Sequence, residues 1–368
     1  MKRIRVLQLI TELTPAGAEK CVYELATRLD KRIFDVAVAA LQGGAMVDRL
    51  EQAGVETLVL GMRGKWDIPR LTRLPGLIRR WRPDVLHTHL FHADFAGRIA
   101  ALLVGGVRTV HTVHIAETRF RPWQFAFAKL AAETCEKIVA VSPSARDHHA
   151  ERTGLDVDRY MVIPNGIDVD TYSRDAATRR SLRGLWSVPA DEFLIAFVGR
   201  LDRQKGLDTL LEAMGILASR HHAPRLVIAG QGPQRGLLER FIAESPVGGN
   251  VMALGFTDDV PGLLSAADAL VMPSRWEGFG LAAAEAMAAS LPVIATGVAG
   301  LRDVVTDATA IIVSKDDSGA LARAMEQLAE DVDLRRTLGR AGRRRVLELF
   351  NISDTIAAHD KLYRQVVC

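Results

Sequence analysis

The chain has 368 residues, 48% of them apolar and 25% charged, enough for two domains with cores of their own and without a long low-complexity tract. A formal net charge of +3 is too small to argue for nucleic acid as a partner. Three cysteines, Cys21, Cys135 and Cys368, form no CxxC pair, which argues against a disulfide frame or zinc site and for a reducing compartment.

Ile4–Ile10 reads as a first buried strand; it is too short for the apolar region of a signal peptide, and no stretch approaches the length needed to span a bilayer. Thr14-Pro15-Ala16-Gly17-Ala18-Glu19 is a turn that opens a helix running to about Leu29. Strand signals recur at 35–41, 56–60, 85–88, 108–114, 137–142 and 161–164, with helical segments between them. β-branched runs alternating with helices predict an α/β fold, a parallel sheet covered on both faces. Such sheets bind ligands outside the carboxyl ends of their strands, so motifs at those ends carry the most information.

Gly17 stands at the first such end, where it lets backbone approach a ligand closely; an ordinary strand-to-helix turn would also suit it. Five histidines follow, His87, His89, His92, His111 and His114, on neighbouring strand ends. They read as metal ligands or as hydrogen-bonded groups lining a cleft; with no carboxylate or cysteine at ligand spacing, the second reading is preferred. Basic residues cluster over 63–82, where Arg63, Lys65, Arg70, Arg73, Arg79, Arg80 and Arg82 face one acid, Asp67. Phe120, Trp123, Phe125 and Phe127 then interleave with Arg119, Arg121 and Lys129. Together these suit an anionic membrane surface, and equally core aromatics with solvated arginines. Asp156/Asp158 and Asp168/Asp170 have Asp-x-Asp spacing, but the turn chemistry of Asn165-Gly166 is enough to explain the second pair, and no metal is expected.

The charged stretch 172–190 reads as a linker, after which 193–198 restarts the strand rhythm. This strand ends in Gly199-Arg200, with Lys205-Gly206 just before a helix, where cations can face a diphosphate. Arg225–Ala229 repeats the scheme and ends in Gly230-Gln231-Gly232-Pro233. No acid stands about 20 residues on, since Glu239 and Glu244 come too early, so a dinucleotide dehydrogenase is disfavoured. A further strand is read at 251–256.

The stretch that organises the second half is Pro273-Ser274-Arg275-Trp276-Glu277-Gly278-Phe279-Gly280-Leu281-Ala282-Ala283-Ala284-Glu285-Ala286-Met287. The apolar run Ala269–Met272 before it predicts a buried strand, and the Ala/Leu run from Leu281 predicts a buried helix. Gly278 and Gly280 open the loop between them, and the first N–H groups of the helix offer an anion site suited to phosphate. A carboxylate in a buried helix, Glu285, needs a partner, from backbone or Arg or from the hydroxyls of a ligand such as a ribose. Phosphate beside hydroxyl-seeking acids suggests a sugar nucleotide. Strands at 292–298 and 310–313, a turn at 297–300 and terminal helices complete the chain.

Glu277-x7-Glu285 with its internal Gly-Phe-Gly and preceding Pro-Ser resembles the signature of the GT-B retaining glycosyltransferases of family 4, the group 1 transferases. The Gly-Arg-x4-Lys-Gly and Gly-x-Gly-Pro turns match the same family in the expected order, as does the end of the strand at His114. The first turn departs from it, with Ala16 where the family has a first glycine. The resemblance implies two Rossmann-like doubly wound domains facing across a cleft: 1–175 binding acceptor, 176–350 binding nucleotide sugar, and 351–368 packing back on the first. It implies a retaining, metal-independent hexosyltransferase using a UDP- or GDP-sugar and a glycan or lipid-linked acceptor, in cell-surface polysaccharide or glycolipid synthesis, with no cofactor and no nucleic-acid partner. Its location would be cytoplasmic, free or peripheral on the inner face of the membrane. The catalytic set would be His114, Glu277, Arg200 and Lys205. The donor would be bound by Gly17, Arg200, Lys205, Gly230, Gly232, Glu277, Gly278, Phe279, Gly280, Leu281 and Glu285. The competing readings are a GT-B nucleotide-sugar epimerase and a non-catalytic nucleotide-sugar-binding protein.

Overall fold

The computed structural model describes residues 2–64, 67–115, 120–219 and 223–368. They form two compact units, one of residues 1–166 with 353–368, the other of 167–352.

The first unit is built on seven strands: β1 (Ile4–Ile10), β2 (Phe34–Ala40), β3 (Glu56–Val59), β4 (Val85–His89), β5 (Arg108–Val113), β6 (Lys137–Ala140) and β7 (Tyr160–Val162). Their spatial order is β3-β2-β1-β4-β5-β6-β7 and every pairing is parallel. The apolar runs are continuous because both faces are covered. On one face Leu7, Leu9 and Leu86 pack with Ile78, Trp81 and Ala96; on the other Val6, Val85 and Val110 pack with Leu362, Tyr363 and Val366. Those last three residues come from the helix Ile352–Val367, whose apolar stripe completes the core of this unit. Winding outward in both directions from β1 leaves a switch point between β1 and β4, where Ile10 lies level with His89.

The second unit has six strands: β8 (Leu194–Val198), β9 (Arg225–Ala229), β10 (Val251–Gly255), β11 (Ala269–Met272), β12 (Val293–Thr296) and β13 (Ala310–Val313). Their order is β10-β9-β8-β11-β12-β13, again all parallel, with the switch point between β8 and β11. Ile195, Phe197, Ile228 and Val271 meet Leu210, Met214 and Leu217 of the helix Leu207–Ser219 on one face.

Residues 172–190 are not a linker. They hold the helix Ala176–Leu185, started by Asp175, whose carboxylate accepts from the Thr178 N–H at 2.6 Å. Arg179 and Arg183 reach Asp268 at 2.7 and 3.1 Å and donate to the Ala266 carbonyl, so the charge that suggested a linker anchors this helix to the second unit. The division between units accordingly falls at 166 rather than 175, and Ile167 and Asn351 are joined by a parallel bridge.

Candidate active site

In the second unit the site begins at the carboxyl end of β8. The chain leaves the strand through Gly199, and Asp202 closes a short turn by accepting from the Lys205 N–H. Arg200 extends toward solvent, its Nε donating to Asp202 at 2.6 Å. Gly230, at the end of β9, crosses directly over this turn; a Cβ there would stand 1.8 Å from the Gly199 carbonyl oxygen. A Cβ at Gly232 would likewise stand 2.4 Å from the Leu201 carbonyl oxygen, so the first two strand ends of this unit pack backbone on backbone.

Lys205 reaches the end of β11, where its ammonium pairs with the Glu277 carboxylate. The same carboxylate oxygen accepts from the Ser274 hydroxyl at 2.8 Å, and the Thr296 hydroxyl at the end of β12 donates to the Ser274 carbonyl. Glu277 is thus buried and held from two sides. Gln204 adds a tie by donating to the Trp276 carbonyl at 3.1 Å. Arg275 grips Asp208 through two bonds of 2.8 and 2.9 Å, which pins the loop to the helix Leu207–Ser219.

Gly280 caps the helix Leu281–Ala288 in a left-handed conformation, φ 92°, that a side chain would strain. As a glycine, Gly280 supplies no side-chain cap of its own, and the Ala283 and Ala284 N–H groups turn back to the Gly280 carbonyl. Gly278 is buried in the loop and Leu281 is partly exposed at the helix start. Glu285 is buried in the second turn. Phe279 turns inward instead, edge-on to Phe350 at 5.2 Å, so its side chain holds the loop down.

In the first unit Gly17 opens the helix Gly17–Arg28 behind β1 and is exposed. His114 follows β5, its Nε2 2.8 Å from Nδ1 of His89, whose Nε2 lies 2.6 Å from Oε1 of Gln8. Gln8 donates to the Tyr363 hydroxyl at 2.9 Å, and that hydroxyl lies 2.6 Å from Nδ1 of His87, which reaches Thr112 through Nε2. Burial, followed by the neighbouring His111 and His359, pushes His114 down to about 3. His87 and His89 are pushed well down by burial first. His111 belongs to a separate set: it meets Asp94 at 3.2 Å, with Arg98 on the same oxygen at 2.8 Å. Burial raises Asp94, but Arg98 and His111 outweigh it and hold the carboxyl at about 2.

His87, His89, His111 and His114 therefore bond to one another and to groups of their own unit, while His92 stands edge-on to Phe91 at 5.5 Å. Among the described residues no group of three or more His, Cys, Asp or Glu is arranged to hold a metal ion. Asp156 and Asp168 each accept from the N–H two residues on, as turn residues do. Of the basic and aromatic stretches, Lys65 and Arg119 lie outside the described residues. Phe120, Trp123 and Phe127 pack around Phe91 at 5.2–6.0 Å, with Phe125 buried and Trp123 left 45% exposed.

Sequence reasoning brought Lys205, Glu277, Glu285 and the Gly280 helix start to one end of one sheet. It missed Ser274 and Thr296 as supports of Glu277, and the pairing of Lys205 with Glu277 itself. It also missed Gln8 and Tyr363, for which a polar residue inside an apolar strand and a Tyr on the apolar stripe of the last helix were the available signals.

Residues 15–171 match the model of Glycosyltransferase Family 4, and residues 179–345 that of Glycosyl transferases group 1. The D-inositol 3-phosphate glycosyltransferase of Paenarthrobacter aurescens is 32% identical over 81% of this chain and 75% of its own length. The UDP-Gal:alpha-D-GlcNAc-diphosphoundecaprenol alpha-1,3-galactosyltransferase of Escherichia coli is 25% identical over 96% of this chain and 94% of its own. Anabaena Alr3699/HepE in complex with UDP-glucose superposes with a TM-score of 0.89 at 21% identity, covering 99% of this chain and all of that one, a likeness of fold. Two parallel α/β units, the strand-end loops in order and these matches agree: the chain is a GT-B glycosyltransferase and belongs to the group 1 transferases of family 4.

Proposed function

We propose that this glycosyltransferase moves a hexosyl group, with retention, from a UDP- or GDP-sugar to a glycan or lipid-linked acceptor. The observation that carries the reading is the meeting of Lys205, Glu277 and the helix that starts at Gly280, at the switch point of the second sheet. Breaking the bond between the anomeric carbon and the phosphate oxygen leaves its electron pair on the diphosphate. Lys205, Arg200 and the N–H groups at Leu281 stabilise that charge, each strong donor by about 3 kcal/mol. Gly230, Gly232, Gly278 and Gly280 let backbone come close to the phosphates. Glu277 takes hydroxyls of the donor sugar and Glu285 those of the ribose, while Gly17 and His114 serve the transferred sugar and acceptor. The UDP-linked donor is supported by the E. coli galactosyltransferase's name and by the UDP-glucose complex of the Anabaena protein. A thermal-shift screen of UDP-glucose, UDP-galactose, UDP-N-acetylglucosamine and GDP-mannose tests the class, because a bound donor raises the midpoint. No shift with any nucleotide sugar would count against it.

The acceptor side of the reading is a lipid-carried substrate met at an anionic membrane surface. Leu102 and Leu103 are exposed at the end of the helix Phe91–Val104, with Trp123 and Leu130 exposed on the helix Pro122–Ala132. Arg79 of the basic stretch donates to the Leu103 carbonyl at 3.0 Å, which sets one cation beside these exposed leucines. Among the described residues no helix is long and apolar enough to cross a membrane. Binding to phosphatidylglycerol vesicles that weakens with salt is expected; equal partitioning onto neutral vesicles, or none onto anionic ones, would contradict it.

A further inference from the structure

A neutral histidine offers one donor and one acceptor nitrogen, and its partners decide which is which. His114 is neutral because burial holds its pKa at about 3. Its Nε2 faces Nδ1 of His89, so one of these two nitrogens carries the shared proton. The choice is made further along the chain of bonds. The Gln8 amide presents its oxygen to Nε2 of His89 at 2.6 Å and its nitrogen to the Tyr363 hydroxyl at 2.9 Å. An amide oxygen only accepts, so Nε2 of His89 carries the proton and Nδ1 of His89 is bare. His114 must then donate from Nε2. In the other direction the Tyr363 hydroxyl, accepting from Gln8, donates to Nδ1 of His87, and His87 donates through Nε2 to Thr112 at 2.7 Å. The five links run one way without a mismatch.

We infer that Gln8 and Tyr363 are positioning residues for His114: through His89 they hold it as the Nε2–H tautomer, with Nδ1 as a bare acceptor for a substrate hydroxyl. Tyr363 is supplied by the C-terminal segment that completes the first unit, and its ring packs edge-on to Phe34 at 6.0 Å. The helix Ile352–Val367 therefore sets the protonation pattern of a residue at the end of β5. The acceptor nitrogen selects a hydroxyl and disfavours a carboxylate or carbonyl oxygen at that point of the substrate. The tautomer rests on the Gln8 amide presenting its oxygen to His89 and its nitrogen to Tyr363; its use in the reaction rests on the placing of His114 at the transferred sugar.

Nitrogen NMR of the full chain labelled in histidine, with His114 assigned by its loss in His114→Asn, reads the tautomer directly in the absence of substrate. The expected spectrum shows His114 protonated at Nε2 alone. Tyr363→Phe and Gln8→Met should each turn it into a mixture of tautomers. With UDP-glucose or GDP-mannose, whichever turns over, they should lower kcat roughly tenfold and leave the donor KM within about twofold. A wild-type His114 protonated at Nδ1, or variants that fold with the wild-type tautomer, would overturn the inference. His114→Ala with unchanged kcat would instead remove His114 from the reaction and leave the tautomer result standing.

Discussion

The Lys205 ammonium sits on the Glu277 carboxylate, which is 7% exposed in its side chain against 20% for the lysine. Two residues assigned to different parts of the donor are thus one ion pair, and removing either strands the other. Lys205→Ala should lower turnover about 10²-fold, through the lost charge at the diphosphate, and should also lower the melting temperature. Adding Glu277→Gln should restore the melting temperature without restoring turnover. Lys205→Ala with turnover within a few-fold of wild type would take the lysine out of the mechanism.

Acid should unfold the first unit early. His114 and His149 are held at about 3 and His359 at about 4, all by burial first, against an ordinary value of 6.5. Folded-state values below the unfolded ones mean that the unfolded chain takes up protons first as the pH falls below 6.5. The stability is fully present above 6.5 and declines until the folded-state values are passed near 4 and 3. Each such histidine loses about 1.4 kcal/mol per pH unit inside that window, so the three together should cost on the order of 3 kcal/mol between pH 6.5 and 5.5. Urea unfolding at the two pH values measures this; a pH-independent midpoint would mean that these rings are solvated.

Activity should survive chelation. The proposed clamp on the diphosphate uses Arg200, Lys205 and a helix terminus. Treatment with EDTA should leave the rate within about twofold. A rate that disappears with EDTA and returns with Mg²⁺ or Mn²⁺ would bring Asp168 and Asp170 back into consideration.

The fold was legible because a parallel sheet buried on both faces leaves uninterrupted apolar runs. All thirteen strands of the described residues fall within the runs read from the sequence or a residue or two from their ends. The stretch 172–190 misled because its arginines look solvated in one dimension, whereas Arg179 and Arg183 converge on Asp268, some 85–89 residues away. The site was legible where it is local: Glu277, Gly280 and Glu285 lie on one short stretch, and a glycine-started apolar helix announces itself. What could not be seen is what the topology brings together from afar, such as Lys205 on Glu277 across 72 residues and Gln8 on Tyr363 across 355. Spacing says nothing about such partners, because their meeting depends on strand order.

The account turns on a division of labour between the two acids of one stretch, which nucleotide binding can test. Glu285 lies in the helix and is assigned to the ribose, a part of the donor unchanged by the reaction, so its loss should weaken binding at least as much as it slows chemistry. Glu277 is assigned to the sugar, where positive charge develops, so its loss should fall on turnover. Free UDP or GDP keeps the ribose and lacks the sugar. Calorimetric titration of wild type, Glu285→Gln and Glu277→Gln with these nucleotides should show affinity lowered by Glu285→Gln and nearly unchanged in Glu277→Gln. Nucleotide affinity lost in Glu277→Gln and kept in Glu285→Gln would contradict the account.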